Sequence, residues 1–276
     1  MTVATIQAVD SFGLTDMGRV RKNNEDQFVI ASLRKSMDLE HCSFERDESF
    51  ERVRSSGARL FMVADGVGGR PDGEMASGTA VQTMLEYLGQ TAGCFHNMDV
   101  ERESEFLAHL EGAVKRAHER ILAEFGAHGH GPSTTLTMAT LVGPRAYIVH
   151  VGDSRAYYLH KGRLRQLTTD QTMGRYMVDA GAWTDEQAAR FPVAGNLTSA
   201  LGSSEMMPGI GLVDLEPGDV LLLCTDGLTK HVPDEQIAEV LGTPGSAESR
   251  CRALVDLALA GGGSDNVTVL VARMEP

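Results

Sequence analysis

Residues 135–167 read TLTMATLVGPRAYIVHVGDSRAYYLHKGRLRQL. Apolar runs alternate here with very short connections, and the dipeptides Gly143-Pro144 and Lys161-Gly162 are typical of turns. Because a parallel crossover needs a dozen or more residues, connections this short join antiparallel neighbours. The stretch therefore predicts an antiparallel meander and excludes a doubly wound parallel sheet. Its predicted strands are 135–142, 145–151, 155–160 and 163–167.

Outward from this meander, apolar periodicity predicts further elements on both sides. Val81, Met84, Leu85 and Leu88 have the spacing of one buried helix face. The predicted helices are 73–88, 104–125, an interrupted 173–189 with Thr184 and Gln187 as a capping box, 233–241 and 248–260. The other predicted strands are 27–32, 59–64, 219–224 and 267–272. No Pro/Ser-rich linker or repeat divides these elements, which favours one domain.

The composition limits the class of protein. The chain has 276 residues, 42% of them apolar and 23% charged, which is typical of a globular protein with a sizeable core. Its net charge of −13 disfavours nucleic-acid binding. The four cysteines form no CxxC pair, so a zinc knuckle or disulfide framework is not expected, and Cys224 is predicted to be a buried reduced thiol. No signal peptide or membrane-spanning stretch is evident, and we expect a cytoplasmic protein.

Acidic residues cluster at four strand ends, around Glu25-Asp26, Asp65-Gly66, Asp226-Gly227 and Asp265-Asn266. Any single Asp-Gly is most often a turn. Four such clusters at the rim of a core would repel one another unless a cation neutralised them, and carboxylate oxygens suit Mg²⁺ or Mn²⁺. No histidine-rich set accompanies them, which argues against zinc, and His128-Gly129-His130 is expected to be a solvated turn.

Two neighbouring features allow more than one interpretation. The glycines of residues 66–69 do not form a dinucleotide fingerprint, since Pro71 occupies its last glycine position, and no Walker A sequence is present. Arg21 is the one cation embedded in an acidic cluster. It either pairs with Glu25 or Asp26 at the surface or holds phosphate oxygens with its planar fork.

In their order, five motifs resemble those of a known family. They are TDMGRVRKNNED (15–26), FMVADGVGG (61–69), VGDSR (151–155), LCTDGL (223–228) and GSDNVT (263–268). The chain resembles the metal-dependent protein serine/threonine phosphatases of the protein phosphatase 2C type (PP2C, also called PPM), in a bacterial-like form. The resemblance implies an α+β fold, a four-layer αββα sandwich in which two antiparallel β-sheets are flanked by helices. It implies a domain over residues 11–273, with a surface insertion at 33–58 and a flap at 171–198 beside the cleft.

The same resemblance implies two Mn²⁺ or Mg²⁺ ions at one end of the sandwich. Asp65 would bridge both ions, and the carbonyl of Gly66 would bind one of them. Asp226 and Asp265 would complete the site of the other ion. The reaction implied is hydrolysis of phosphoserine or phosphothreonine in proteins by attack of a metal-bridging hydroxide.

Further roles follow from the resemblance. Glu25 and Asp26 would orient metal-bound waters, and Arg21 would hold the substrate phosphate. Asp153 would help to bind a third, weaker ion, although a turn aspartate between two strands is the alternative. Val67 stands where many eukaryotic members have the histidine proposed as the acid for the leaving group, so that proton would come from elsewhere.

The expected partners are phosphorylated proteins in signalling, among them a cognate Ser/Thr kinase and its substrates, and the expected state is a monomer without nucleic acid or membrane. A phosphatase dedicated to one regulatory partner, as in systems that control sigma factors, is one alternative. The absence of a sensor segment weakens it. A catalytically inactive binding module is the other, and retention of Asp65, Asp226 and Asp265 disfavours it. No cysteine is followed six residues later by arginine, which excludes a cysteine phosphatase.

Overall fold

The computed structural model of the chain describes residues 8–34, 57–67, 71–91, 100–126 and 131–275. The strands are β1 (Ala8–Asp16), β2 (Asp26–Arg34), β3 (Gly57–Val67), β4 (Ser133–Thr134), β5 (Leu136–Val142), β6 (Arg145–Val151), β7 (Arg155–His160), β8 (Arg163–Gln166), β9 (Gly209–Asp214), β10 (Val220–Cys224) and β11 (Val267–Glu275). The helices are α1 (Pro71–Thr91), α2 (Val100–Phe125), α3 (Met173–Asp179), α4 (Asp185–Ala188), α5 (Asp226–Thr229), α6 (Asp234–Gly242) and α7 (Ala247–Ala260), with a 3₁₀ turn at Pro192–Gly195.

The strands form two antiparallel sheets. One has the order β1-β11-β10-β7-β8, and the other has the order β2-β3-β5-β6-β9 with β4 beside β3. Every described pairing between neighbouring strands is antiparallel. Together with the helices, this arrangement confirms the predicted α+β class.

Three apolar layers account for the sandwich. Alternate residues of β3 point to opposite sides: Leu60 and Met62 pack against the α1 and α2 helices, whereas Phe61 and Val63 pack against the other sheet. A strand buried on both faces reads as a continuous apolar run, which explains why β10 is the sequence VLLLC. Its Leu222 belongs to a third layer, with the α6 and α7 helices.

The predicted four-stranded meander is wrong at one connection, between its second and third strands. The hairpins β5–β6 and β7–β8 form as predicted, but β6 and β7 lie in different sheets. The chain crosses between the sheets at residues 152–154. Gly152 has a φ of +106°, and a Cβ there would lie 2.6 Å from the side chain of Thr135, so only glycine fits this crossing. Asp153 therefore lies on the connection between the two sheets.

Other differences follow from edge positions. Apolar periodicity did not predict β1 and β9, because each is an edge strand with partly exposed side chains and β9 also contains two glycines. Of the predicted insertion 33–58, residues 33–34 belong to β2 and residues 57–58 to β3, while residues 35–56 lie outside the described residues.

Two smaller expectations are met. The capping box at Thr184 and Gln187 is present, with both reciprocal hydrogen bonds formed. Cys224 is a buried free thiol, and burial raises its pKa to about 12. Among the helices of the described ranges, none combines the length and the apolar composition needed to cross a bilayer.

Candidate active site

Acidic side chains from separate strand ends surround a cavity of about 220 Å³. The cavity lies at the end of the sandwich where β2 begins and where β3 and β10 end. Its lining residues are Arg21, Glu25, Asp65, Gly66, Val67, Asp153, Gly195, Leu197, Asp226, Lys230, Asp265 and Asn266. The structure thus brings every predicted site residue except Asp26 to the wall of one cavity.

Asp65 is fixed through its backbone. The hydroxyl of Thr135 accepts a hydrogen bond from the Asp65 amide at 3.0 Å, and the hydroxyl of Thr134 donates to the Asp65 carbonyl at 2.8 Å. Strand β3 was predicted to end at residue 64 but continues to Val67, because Gly66 and Val67 pair with β4. The carboxylate is therefore presented from an ordered strand rather than from a free turn.

Asp26 is paired with Asp65 across β2 and β3 but is buried instead of lining the cavity. The hydroxyls of Thr225 and Thr268 donate to its Oδ2 at 2.8 and 2.6 Å, while its Oδ1 has no hydrogen-bond partner. Burial raises the pKa of Asp26 to about 7, although the two hydroxyls oppose this rise.

A close backbone approach sets the position of Glu25. The Gly66 amide donates to the Glu25 carbonyl at 3.2 Å, and a Cβ on Gly66 would lie 2.3 Å from the carbonyl oxygen of Gly73 in α1. Gly73 in turn lies so close to the Glu25 carboxylate that a Cβ there would be 2.5 Å from its Oε2. The glycines thus allow the first turn of α1 to pack directly against the acidic cluster.

Asp226 and Asp265 are brought together by a second close approach. A Cβ on Gly227 would lie 1.9 Å from the carbonyl oxygen of Asn266, so the Asp-Gly motif is required here for packing. Asn266 also joins three segments: its Nδ2 donates to the carbonyls of Met17 and Asn23, and its Oδ1 accepts from the Glu25 amide, all at 2.9 Å. Sequence reasoning gave Asn266 no role.

Among the described residues, two basic side chains rather than one lie among the carboxylates of the cavity. Arg21 makes a forked contact with Asp265, with Nε 2.7 Å from Oδ1 and Nη2 2.9 Å from Oδ2. Its partner in the described structure is therefore Asp265 rather than Glu25 or Asp26. The ammonium of Lys230 lies 2.6 Å from Asp226 Oδ2 and 2.7 Å from Asp265 Oδ2. Sequence reasoning missed Lys230, although its spacing of four residues from Asp226 on a helical turn is typical of an ion pair.

The carboxylates that line the cavity are buried and repel one another, which shifts their pKa values. Burial, followed by repulsion from Asp26 and Asp226, raises the pKa of Asp65 well above its ordinary value. Burial raises the pKa of Asp226, and burial with repulsion from Asp226 raises that of Asp153 to about 7. Burial also acts on Asp265, but hydrogen bonds from Lys230 and Arg21 hold its pKa below the ordinary value.

This donor set fits divalent cations. The negatively charged side chains of the cavity are all carboxylates, the ligands that hard cations such as Mg²⁺ and Mn²⁺ prefer. In addition, Oδ1 of Asp226 is buried without a hydrogen-bond partner. In the part of the chain that is described, no three His, Cys, Asp or Glu side chains already stand as a closed metal cage. Lys230 and Arg21 bind Asp265 instead, so cation binding requires these side chains to move.

The segment 171–198 contributes to the same cavity. It contains α3, α4 and the 3₁₀ turn, and a bridge between Thr172 and Leu197 closes its base. Gly195 and Leu197 line the cavity. Val67 stands at the rim with 36% of its surface exposed, whereas His128 and His130 lie outside the described residues.

Comparison with known proteins gives concordant matches. The family model for protein phosphatase 2C matches residues 42–254. The serine/threonine protein phosphatase PstP of Mycobacterium tuberculosis is 38% identical over 260 residues, which is 94% of this chain and 43% of that protein. This chain thus spans less than half the length of PstP.

Solved structures match over nearly the whole chain. The S. agalactiae serine/threonine phosphatase has a TM-score of 0.79 at 28% identity, covering 97% of this chain and 100% of that one. The catalytic domain of PstP in complex with two manganese ions has a TM-score of 0.74 at 32% identity, covering 97% and 99%. By sequence and by fold, this chain belongs to the protein phosphatase 2C family.

Proposed function

We propose that this chain is a Mn²⁺- or Mg²⁺-dependent phosphatase that hydrolyses phosphoserine and phosphothreonine in proteins. One observation carries the proposal: four aspartates and Glu25 surround a single cavity that also contains a forked cation, Arg21. Burial raises the pKa values of three of these carboxyl groups, those of Asp65, Asp153 and Asp226, so their ionised forms are costly unless they bind cations. A guanidinium beside such a centre is suited to phosphate.

Asp65, Asp226 and Asp265, with the carbonyl of Gly66, would hold two cations. When bound, such a pair lowers the pKa of water, so that a nucleophile exists near neutral pH, and neutralises charge on phosphate oxygens. PstP, whose catalytic domain has been solved with two manganese ions, supports this assignment. The side chains of Asp226 and Asp265 have to release Lys230 before they can act in this way.

The other acidic residues would serve the same centre less directly. The Glu25 carboxylate lines the cavity, where it can accept a hydrogen bond from water and orient it. Asp26 would fix a water through its unpartnered Oδ1. Asp153, on the connection between the sheets, would hold a third and weaker cation.

Arg21 would bind the phosphate. Its side chain is 44% exposed, so the guanidinium can leave Asp265 and turn toward a substrate in the cavity. There its planar fork would orient two phosphate oxygens for in-line attack and stabilise the charge that develops on them. Val67 at the rim has no proton to give, so another donor in the cavity would protonate the leaving alkoxide, and we propose water for this role.

The physiological setting is also part of the proposal. Substrates would be phosphorylated proteins, including a cognate Ser/Thr kinase and its targets, and the enzyme would act as a cytoplasmic monomer. Residues 11–273 would form the phosphatase domain, with a surface insertion at 33–58 and a substrate-selecting flap at 171–198. The position of Gly195 and Leu197 at the cavity wall supports a role for the flap in substrate choice.

A metal-titrated assay tests the function. The chain, stripped with EDTA, should hydrolyse an aryl phosphate and a phosphoserine peptide only after Mn²⁺ or Mg²⁺ is added. Asp65→Asn should reduce kcat by at least about 1000-fold, because it removes a ligand shared by both cations. Asp256→Asn, on the exposed side of α7, is the matched control and should keep normal rates. Full activity in EDTA would refute the metal assignment, and no activity at any metal concentration would favour a binding module.

A further inference from the structure

Lys230 has an unusual position for a basic residue in a site built to bind cations. Its ammonium lies between two carboxylates, 2.6 Å from Asp226 Oδ2 and 2.7 Å from Asp265 Oδ2. A divalent cation shared by Asp226 and Asp265 would lie between the same two carboxylates. The ammonium therefore occupies, with one positive charge, the place at which a doubly charged ion would bind.

The backbone fixes where Lys230 starts, while its side chain keeps freedom to move. Its amide donates to the carbonyl of Asp226 at 2.8 Å, which closes the helical turn of α5 and places the two side chains on one face. The Lys230 side chain is 45% exposed, whereas those of Asp226 and Asp265 are 19% and 14% exposed. The carboxylates must stay in the cavity, but the flexible lysine can rotate into solvent.

We infer that Lys230 is an internal counter-ion that competes with one divalent cation for Asp226 and Asp265. In the metal-free chain it neutralises the two carboxylates and stabilises their approach. On cation binding the ammonium is displaced, and the broken ion pairs reduce the net affinity for that ion. The inference rests on the proposed assignment of Asp226 and Asp265 to a cation.

Unequal occupancy of the two cation positions follows from this competition. Asp65 and Gly66 have no contact with Lys230 among the described hydrogen bonds and ion pairs, so the ion bound mainly there meets no competitor. The ion at Asp226 and Asp265 has to displace the ammonium from both carboxylates, as well as the Arg21 guanidinium from Asp265. The chain would thus fill its cation positions in sequence, and Lys230 would set the metal concentration at which the second is filled.

Calorimetric titration of the EDTA-stripped chain with MnCl₂ tests the inference directly. Lys230→Met keeps nearly the length of the side chain and removes its charge. Lys230→Gln also removes the charge but keeps a polar side chain. Both should bind the weaker Mn²⁺ at least about tenfold more tightly than the unmodified chain, equivalent to about 1.4 kcal/mol. Lys161→Met is the matched control, since Lys161 pairs with Glu216 at the surface and should leave both affinities unchanged.

Thermal unfolding provides a second readout that does not depend on activity. In EDTA both Lys230 variants should melt below the unmodified chain, because Asp226 then loses its ion pair and Asp265 keeps only Arg21 as a counter-ion. Saturating Mn²⁺ should remove this difference. Unchanged or weaker Mn²⁺ binding by both variants, while the unmodified chain binds two ions, would overturn the role of Lys230 alone. If the unmodified chain binds no Mn²⁺, the proposed metal centre fails and the inference fails with it.

Discussion

Asp153→Asn should stabilise the metal-free chain at alkaline pH. Burial, with repulsion from Asp226 and Asp170, raises the pKa of Asp153 from 3.8 to about 7. A carboxyl group with a raised pKa in the folded chain opposes folding once it is ionised, so stability falls as the pH rises from about 4 to about 7. Asparagine has nearly the same shape and carries no charge, so it removes this penalty.

The pKa difference sets the size of the effect. From 3.8 to about 7 is about 3 units, and at about 1.4 kcal/mol per unit the ionised carboxylate costs at most about 4 kcal/mol above pH 7. Because neighbouring carboxylates relax when one charge is removed, we expect a gain of about 2–4 kcal/mol at pH 8. At pH 4.5 the gain should be about a quarter of that value, since most of the native carboxyl groups are then protonated.

Urea unfolding in EDTA at pH 4.5 and pH 8 measures this gain. Asp256→Asn provides an exposed control, expected to change the free energy of unfolding by less than about 0.5 kcal/mol. With saturating Mn²⁺ the advantage of Asp153→Asn at pH 8 should shrink, because the cation neutralises the carboxylates of the unmodified chain. A variant that is destabilised at pH 8, or equally changed at both pH values, would refute an electrostatic penalty at Asp153.

Two further predictions concern residues on either side of the cavity. Arg21→Lys should raise the KM for a phosphoserine peptide about tenfold with a smaller change in Mn²⁺ affinity, because lysine keeps the charge and loses the fork; the opposite pattern would assign Arg21 to Asp265 alone. Thr268→Val should lower the free energy of unfolding by about 1.5–3 kcal/mol, because it removes the 2.6 Å hydrogen bond to buried Asp26. Urea unfolding at pH 8 measures this loss, and an unchanged midpoint would mean that Thr225 alone holds Asp26.

Local rules predicted much of the fold. Alternating apolar runs and turn dipeptides located β5 and β6, and the spacing of Thr184 and Gln187 located the start of α4. The crossing at Gly152 was not predictable in this way, because two strands joined by three residues look the same whether they pair with each other or enter facing sheets. That choice depends on which partners β7 finds elsewhere in the chain, namely β8 and β10.

In the candidate site, too, the sequence predicts what local patterns determine and misses contacts between residues that are distant along the chain. Motif order placed Asp65, Asp226 and Asp265 together because the acidic clusters follow or precede strands, and the ends of those strands meet in the fold. The partner of Arg21 was missed because Asp265 is 244 residues away along the chain. Lys230 is not predictable as a site residue from its pairing with Asp226, because an ion pair four residues apart is common on exposed helical turns; its contact with Asp265 depends on the fold.

The pairing of the first and last strands has a practical consequence for tethering this protein. β1 and β11 run antiparallel, with Ala8 opposite Glu275 at one end and Asp16 opposite Val267 at the other. Asp265 lies just beyond the second end, so the eight residue steps of β1 separate Ala8 and Glu275 from the cavity by about 26 Å. A linker or a fused partner attached beside Ala8 or Glu275 would therefore leave the sandwich at the end opposite the cavity. A protein held at that end of the sandwich would present its cavity to the surrounding solution.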